Sequence, residues 1–246
     1  MRRAIALVLL LGCSQSEPPI LLATTTSVQD SGLLDALLPE FTRRTGVRVK
    51  PVAVGSGEAL AMARRGAADV VIAHSPEAEL KLMAEGKAIE RRTVMTNTFL
   101  IVGPPEDPAG VQGASSARDA FARIAKHTFV SRGDKSGTHA RELSLWKEKP
   151  ASYVETGAGM GETLLIADQK GAYTLSDLAT FLALRARLRL VVLFEGGEDL
   201  VNRYSVILVR PSARRFLDFM TGDAVPIIRD FGRDKHGRPL FVPETK

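Results

Sequence analysis

Short apolar runs alternating with stretches of helical spacing constrain this chain more than any other feature. Ile20 to Ala23, Val47 to Val54 and Asp69 to Ala73 each read as a strand. Between and after them, Leu33 to Thr45, Glu58 to Arg65 and Glu77 to Glu85 place apolar residues on one helical face. The first of these helices is opened by Asp30-Ser31 and stopped by Gly46. Strands joined by helices imply crossover connections, hence an α/β protein built mainly on parallel strands.

The pattern continues to the C-terminal end. Val94-Met95 and Phe99 to Val102 are extended, Ser115-Ser116 cap a helix reaching Ala125, and Phe129 to Ser131 are a strand. Helices follow over Gly137 to Lys147 and Glu162 to Gln169, a strand over Ala172 to Leu175, and a helix over Asp177 to Leu184. Leu190 to Phe194 and Tyr204 to Val209 are strands, and Ala213 to Met220 and Val225 to Phe231 are helices.

The N-terminal end has a different character. Arg2-Arg3 and the apolar run Ala4 to Leu11 have the charged and hydrophobic parts of a secretory signal, too short to span a membrane. Leu10-Leu11-Gly12-Cys13 resembles a bacterial lipobox, in which the Cys13 thiol is diacylated and begins the mature chain. The alternative is an ordinary signal peptide with an incidental cysteine. Residues 14–19 read as a tether. Cys13 is the only cysteine, which excludes an internal disulfide and a cysteine-based metal site.

The remaining chain, roughly 230 residues, suffices for one large domain or two lobes. Its formal net charge of +5 favours capture of anions. Aromatic residues make up only 6% and are not interleaved with the basic ones, so nucleic-acid binding is not expected.

Three donor clusters carry chemistry. Thr24-Thr25-Thr26-Ser27 sits where the first strand ends, and Gly55-Ser56-Gly57 where the second does. Ser131 to His139, running Ser-Arg-Gly-Asp-Lys-Ser-Gly-Thr-His, follows the strand Phe129 to Ser131 and opens a helix. Unpaired N–H groups at a helix start favour an anion, and Arg132 adds a planar fork of charged donors. The glycine spacing before Lys135 does not make a phosphate loop, and Gly157 to Gly161 is not a dinucleotide fingerprint. His74 and His139 are too isolated to argue a metal, so neither metal nor cofactor is expected. Nor does Gly55-Ser56-Gly57 extend into a nucleophile elbow.

Taken together these residues resemble the TupA-type tungstate-binding proteins of bacterial ABC transporters, within the type II periplasmic binding proteins. The resemblance runs from about Ile20 to Phe241 and rests on Ala23 to Ser27, Asp30 to Leu34, Val54 to Gly57, Asp69-Val70 and Pro76 to Glu79. Ser131 to His139, Glu155 to Gly161 and Gly171 to Asp177 complete it. It implies two α/β lobes with the ligand cleft between them, one from residues 20–96 and 201–246, the other from 97–200. A tetrahedral tungstate or molybdate would receive donors from Thr25, Thr26, Ser27 and Ser56 on the first lobe. Ser131, Arg132, Ser136, Gly137 and Thr138 would donate from the second, with Thr24, Gly133 and Asp134 in support. The resemblance further implies a monomer, extracytoplasmic and lipid-anchored, that presents its ligand to a membrane permease driven by an ATPase.

Two departures stand out: a shorter stretch between Trp146 and Tyr153, and Asn202-Arg203-Tyr204 where Asn-Pro-Tyr is expected. Two other functions stay open. Phosphate, which keeps a proton at neutral pH, would use Asp134 as acceptor, and an exported hydrolase would need a base beside a nucleophile.

Overall fold

The computed structural model describes residues 17–244. The expected leader and Cys13 lie outside the described residues. Among those described, no helix is long and apolar enough to cross a membrane.

Strand β1 (Ile20–Thr25) leads through the short helix α1 (Thr26–Asp30) into α2 (Leu33–Thr45). β2 (Val49–Val54), α3 (Ser56–Arg64), β3 (Val70–Ala73) and α4 (Pro76–Ala84) follow. β4 (Glu90–Gly103) is a single 14-residue strand. Then come α5 (Ala117–Ile124), β5 (Phe129–Ser131), α6 (Gly137–Leu145), β6 (Tyr153–Glu155) and α7 (Met160–Lys170). β7 (Thr174–Asp177), α8 (Leu178–Leu184), β8 (Val191–Glu195) and β9 (Val201–Leu208) complete the middle of the chain. The last elements are α9 (Arg214–Thr221), α10 (Ala224–Asp230), α11 (Arg233–His236) and β10 (Val242–Pro243).

The sheets are mixed. β1 pairs in parallel with β2 and β3, and β5 with β6. The long strands pair antiparallel: β9 with β3 and β4, and β4 with β7, β8 and β10. β4 pairs with β9 over Glu90 to Thr98, then with β7 and β8 over Phe99 to Gly103. It therefore passes from one lobe into the other, and β9 returns beside it.

Strand alternation builds a core on each face of each sheet. In the first lobe Val70, Ile72 and Val206 pack with Phe41 and Phe216 on one side, while Val71 and Ile207 pack with Leu60 on the other. In the second, Phe99 and Ile101 meet Phe121 and Phe129, while Leu100 and Val102 meet Leu164 and Phe181. Phe41 meets Phe216 and Phe219 edge-on at 5.3 and 5.4 Å, so truncating it to alanine costs about 3–5 kcal/mol. Ala179 of α8 joins the first lobe's core, which places that helix where the lobes meet.

Local signals explain most boundaries. Gly46 stops α2 at φ +72°, and the Ser116 hydroxyl caps α5 by accepting from Asp119 N at 3.1 Å. α2 spans the expected residues, but Asp30-Ser31 do not cap it. Thr26 to Asp30 form their own turn, and Gly32 at φ +79° is the residue before α2. β4 also runs unbroken through polar Thr96-Asn97-Thr98, where a break was expected, because Asn97 is buried against Asn202 of β9.

Candidate functional site

The three donor clusters all sit where a strand's carboxyl end feeds a helix, the crevice in which open α/β sheets bind ligands. Thr25 ends β1 in extended conformation and caps α1, its Oγ1 accepting from Val28 N at 3.3 Å. Thr26 is the first residue of α1, and Ser27 Oγ lies 3.0 Å from Thr25 Oγ1. Ser56 is the first residue of α3. Ser136 caps α6, its Oγ accepting from His139 N at 3.3 Å, so Gly137 and Thr138 fill the first turn. Their N–H groups have no acceptor within the helix.

The fold sets the second cluster, and the turn at His74, against the third. A Cβ at Gly57 would lie 3.4 Å from Lys135 O, and one at Gly137 would lie 2.5 Å from the His74 ring. Thr24, Thr25, Ser27, Ser56, Ser131, Arg132, Ser136 and Thr138 are all buried, and Thr26 is half-buried. Within these clusters, Thr24 Oγ1, Ser56 Oγ and Thr138 Oγ1 have no hydrogen-bond partner among the described residues. A buried unpaired polar group costs about 1–3 kcal/mol.

Arg132 is the one guanidinium among these donors, 4% exposed. Its Nη2 donates to Asp134 Oδ2 at 2.5 Å, while Asp134 Oδ1 accepts from Ser136 N at 3.1 Å. Backbone geometry and hydrogen bonds define the surrounding loop. Gly133 takes φ +63° and leaves no room for a side chain, since a Cβ would lie 2.7 Å from Glu155 Cβ. Lys135 holds φ +60° with its N–H donating to His139 Nδ1 at 3.1 Å. From behind, Thr156 N donates to Ser131 O at 3.0 Å and Gly157 N to Arg132 O at 2.8 Å. The glycine-rich segment thus backs the loop.

Ser131 departs from its expected part. Its hydroxyl donates to the buried Glu142 carboxylate and accepts from Gly133 N at 3.2 Å, so its proton is committed inside the lobe rather than to an anion. Glu142 Oε1 also accepts from Trp146 Nε1 at 2.9 Å and Tyr153 OH at 2.6 Å. Sequence reasoning missed this carboxylate. A lone helical glutamate gives no signal of burial.

A second missed group lies at the crossing strands. His74 Nδ1 bonds Asn202 Oδ1 at 2.9 Å, and its ring stacks on Tyr204 at 4.8 Å. Asn202 Nδ2 donates to Asn97 Oδ1 and to Tyr204 OH, each at 3.0 Å. Tyr204 OH lies 3.4 Å from Ser27 Oγ. Burial lowers the His74 pKa to about 4 against the raising bond to Asn202, and nearby Arg132 lowers it further. The imidazole is therefore neutral, with Nδ1–H as donor. Burial raises the Asp177 carboxyl above its ordinary range, opposed by its bonds from Thr180 and by Arg132. Neutral donors with one guanidinium make the cleft a receptor for a small anion.

A family model for the PBP superfamily domain matches residues 13–224. The tungstate-binding protein TupA of Peptoclostridium acidaminophilum is 43% identical over 94% of this chain and 88% of its own length. TupA of Campylobacter jejuni is 37% identical over 89% of each chain. The solved structure of the tungstate-binding protein TupA from Desulfovibrio alaskensis G20 matches with a TM-score of 0.80 at 39% identity, covering 94% of this chain and all of the other. With its two-lobed architecture and facing donor clusters, the chain belongs to the PBP superfamily and, within it, to the TupA family.

Proposed function

We propose that this protein is the tungstate-binding component of an ABC importer, that molybdate occupies the same cleft, and that it hands its ligand unchanged to a membrane permease. It works outside the cytoplasmic membrane as a monomer, held by lipid on Cys13. One observation carries the ligand class: Thr24, Ser56 and Thr138 are buried and unpartnered on facing walls that also hold Arg132. A dehydrated dianion needs protein donors in place of its lost water, because a buried unpaired charge is very costly. Thr25, Thr26, Ser27, Ser136 and the Gly137 N–H supply the others.

Asp134 bears on the choice between tungstate and phosphate. Both its oxygens are engaged, one by Arg132 and one by Ser136 N. A protonated oxyanion would turn its O–H toward donors, a mismatch of about 1–3 kcal/mol. A fully deprotonated tetrahedral dianion meets no such penalty.

Calorimetric titration with tungstate, molybdate, sulfate and phosphate tests this reading. Tight binding of the first two and weak binding of the others is expected, with a melting-temperature rise from ligand-linked stabilisation of about 4 kcal/mol at a thousandfold excess over Kd. Equal affinity for sulfate, or tight phosphate binding, would refute it. For the anchor, incorporation of labelled palmitate should vanish in Cys13→Ser.

A further inference from the structure

We propose that His74 is the seat on which the cleft closes, and that Gly137 is glycine because its helix start must lodge against that ring. The inference rests on the proposed function.

Gly137 does not need to be glycine for its backbone, since it lies outside the left-handed region. What excludes a side chain is His74: a Cβ would fall 2.5 Å from ring atoms Cε1 and Nδ1 and 2.8 Å from the His74 carbonyl oxygen. The two residues come from opposite walls, His74 from the turn between β3 and α4, Gly137 from the first turn of α6. The contact therefore exists only while the walls are together.

The seat is itself held still. Asn202 fixes the ring through Nδ1, Tyr204 supports its face, and 95% of His74 is shielded from solvent. Asn202 sits on β9 directly across from Asn97 on β4, at the level where both strands pass between lobes. Through Tyr204 OH, Ser27 and Thr25 the same network reaches the first donor cluster. His74 thus touches the moving wall, the crossing strands and the anion donors in one connected set. It is a positioning residue, and contact with the anion is no part of the role.

Gly137→Ala separates this role from direct binding, because alanine keeps every backbone donor of α6. Tungstate affinity should fall about tenfold or more, while the melting temperature without ligand stays within about 2 °C. X-ray scattering should show less contraction on adding tungstate than in the wild type. The double variant His74→Ala/Gly137→Ala should recover at most part of that loss, since the ring is gone but the 2.8 Å approach to the residue-74 carbonyl oxygen remains. His74→Ala alone, which leaves α6 untouched, should release tungstate about tenfold faster.

Wild-type affinity and contraction in Gly137→Ala would overturn the inference. So would an unchanged release rate in His74→Ala. A wild type that binds no tungstate in the calorimeter would overturn the proposed function, and this inference with it.

Discussion

Arg132 Nη2 donates to Asp134 Oδ2 at 2.5 Å, an ion pair between a buried guanidinium and a half-buried carboxylate within the loop after β5. The pair turns the guanidinium's fork to one side and occupies the carboxylate. Arg132→Ser should lose at least about tenfold in tungstate affinity, since charge-assisted bonds contribute about 1.5–3 kcal/mol each. Arg132→Lys should fall between, keeping charge without the fork. Asp134→Asn should weaken tungstate binding by loosening the loop and create no phosphate affinity. Calorimetry on the three variants checks this, and phosphate binding gained by the Asn variant would assign Asp134 a different part.

The unpartnered hydroxyls should trade stability against binding. Ser56→Ala and Thr138→Val each remove a buried hydroxyl that no described residue satisfies. The unliganded protein should therefore be unchanged or more stable, by up to about 1–2 kcal/mol. Each should also lose a donor bond to the anion, on the order of 1 kcal/mol. Thermal melts with and without tungstate read both effects, and a variant that loses stability with full affinity would place its hydroxyl outside the site.

His74 gives stability a pH dependence. Its folded pKa, about 4, lies below the ordinary 6.5. Between those values the unfolded chain binds the proton and the folded one does not, so this group's contribution falls as pH drops through that window. The full effect is on the order of 3 kcal/mol. The Glu79 and Asp177 carboxyls, raised by burial, act oppositely and favour the folded state as pH falls. Urea unfolding at pH 7 and pH 4.5, compared with His74→Gln, isolates the histidine. The variant should lose less stability over that interval than the wild type.

Glu79 is fully buried and receives Arg91 at 2.8 Å and the Ser75 backbone N–H at 2.7 Å. Arg91→Ala leaves that carboxylate without its cation, at a cost of about 3–5 kcal/mol unless it takes up a proton. Because burial already raises the Glu79 pKa, the deficit should shrink as pH falls from 7 to 5. Denaturation midpoints at the two pH values test this directly.

Much of this was legible because apolar runs report burial. β5 and α2 occur where the pattern puts them, since Phe129 to Ser131 and Leu33 to Thr45 bury what their spacing implies. The position of the hydroxyl and glycine clusters at strand ends was legible from the apolar runs before them, although such residues also cap helices, as Thr25 and Ser136 do. What escaped were polar groups whose partners are distant in sequence. Asn97 looks like a strand break until Asn202, paired with it across the strands, shows why it is inside. Glu142 looks like a solvent-facing helical residue until Ser131, Trp146 and Tyr153 converge on it. β6 was missed as well, because three residues in a turn-rich stretch carry no period of their own.

Trp146 is the only tryptophan in the chain, and its indole N–H shares the Glu142 carboxylate with Ser131, the residue that begins the Arg132 loop. A change in that loop reaches the indole through a single side chain. Indole emission should therefore shift as the cleft fills, and titrating dilute protein with tungstate, without dye or label, checks it.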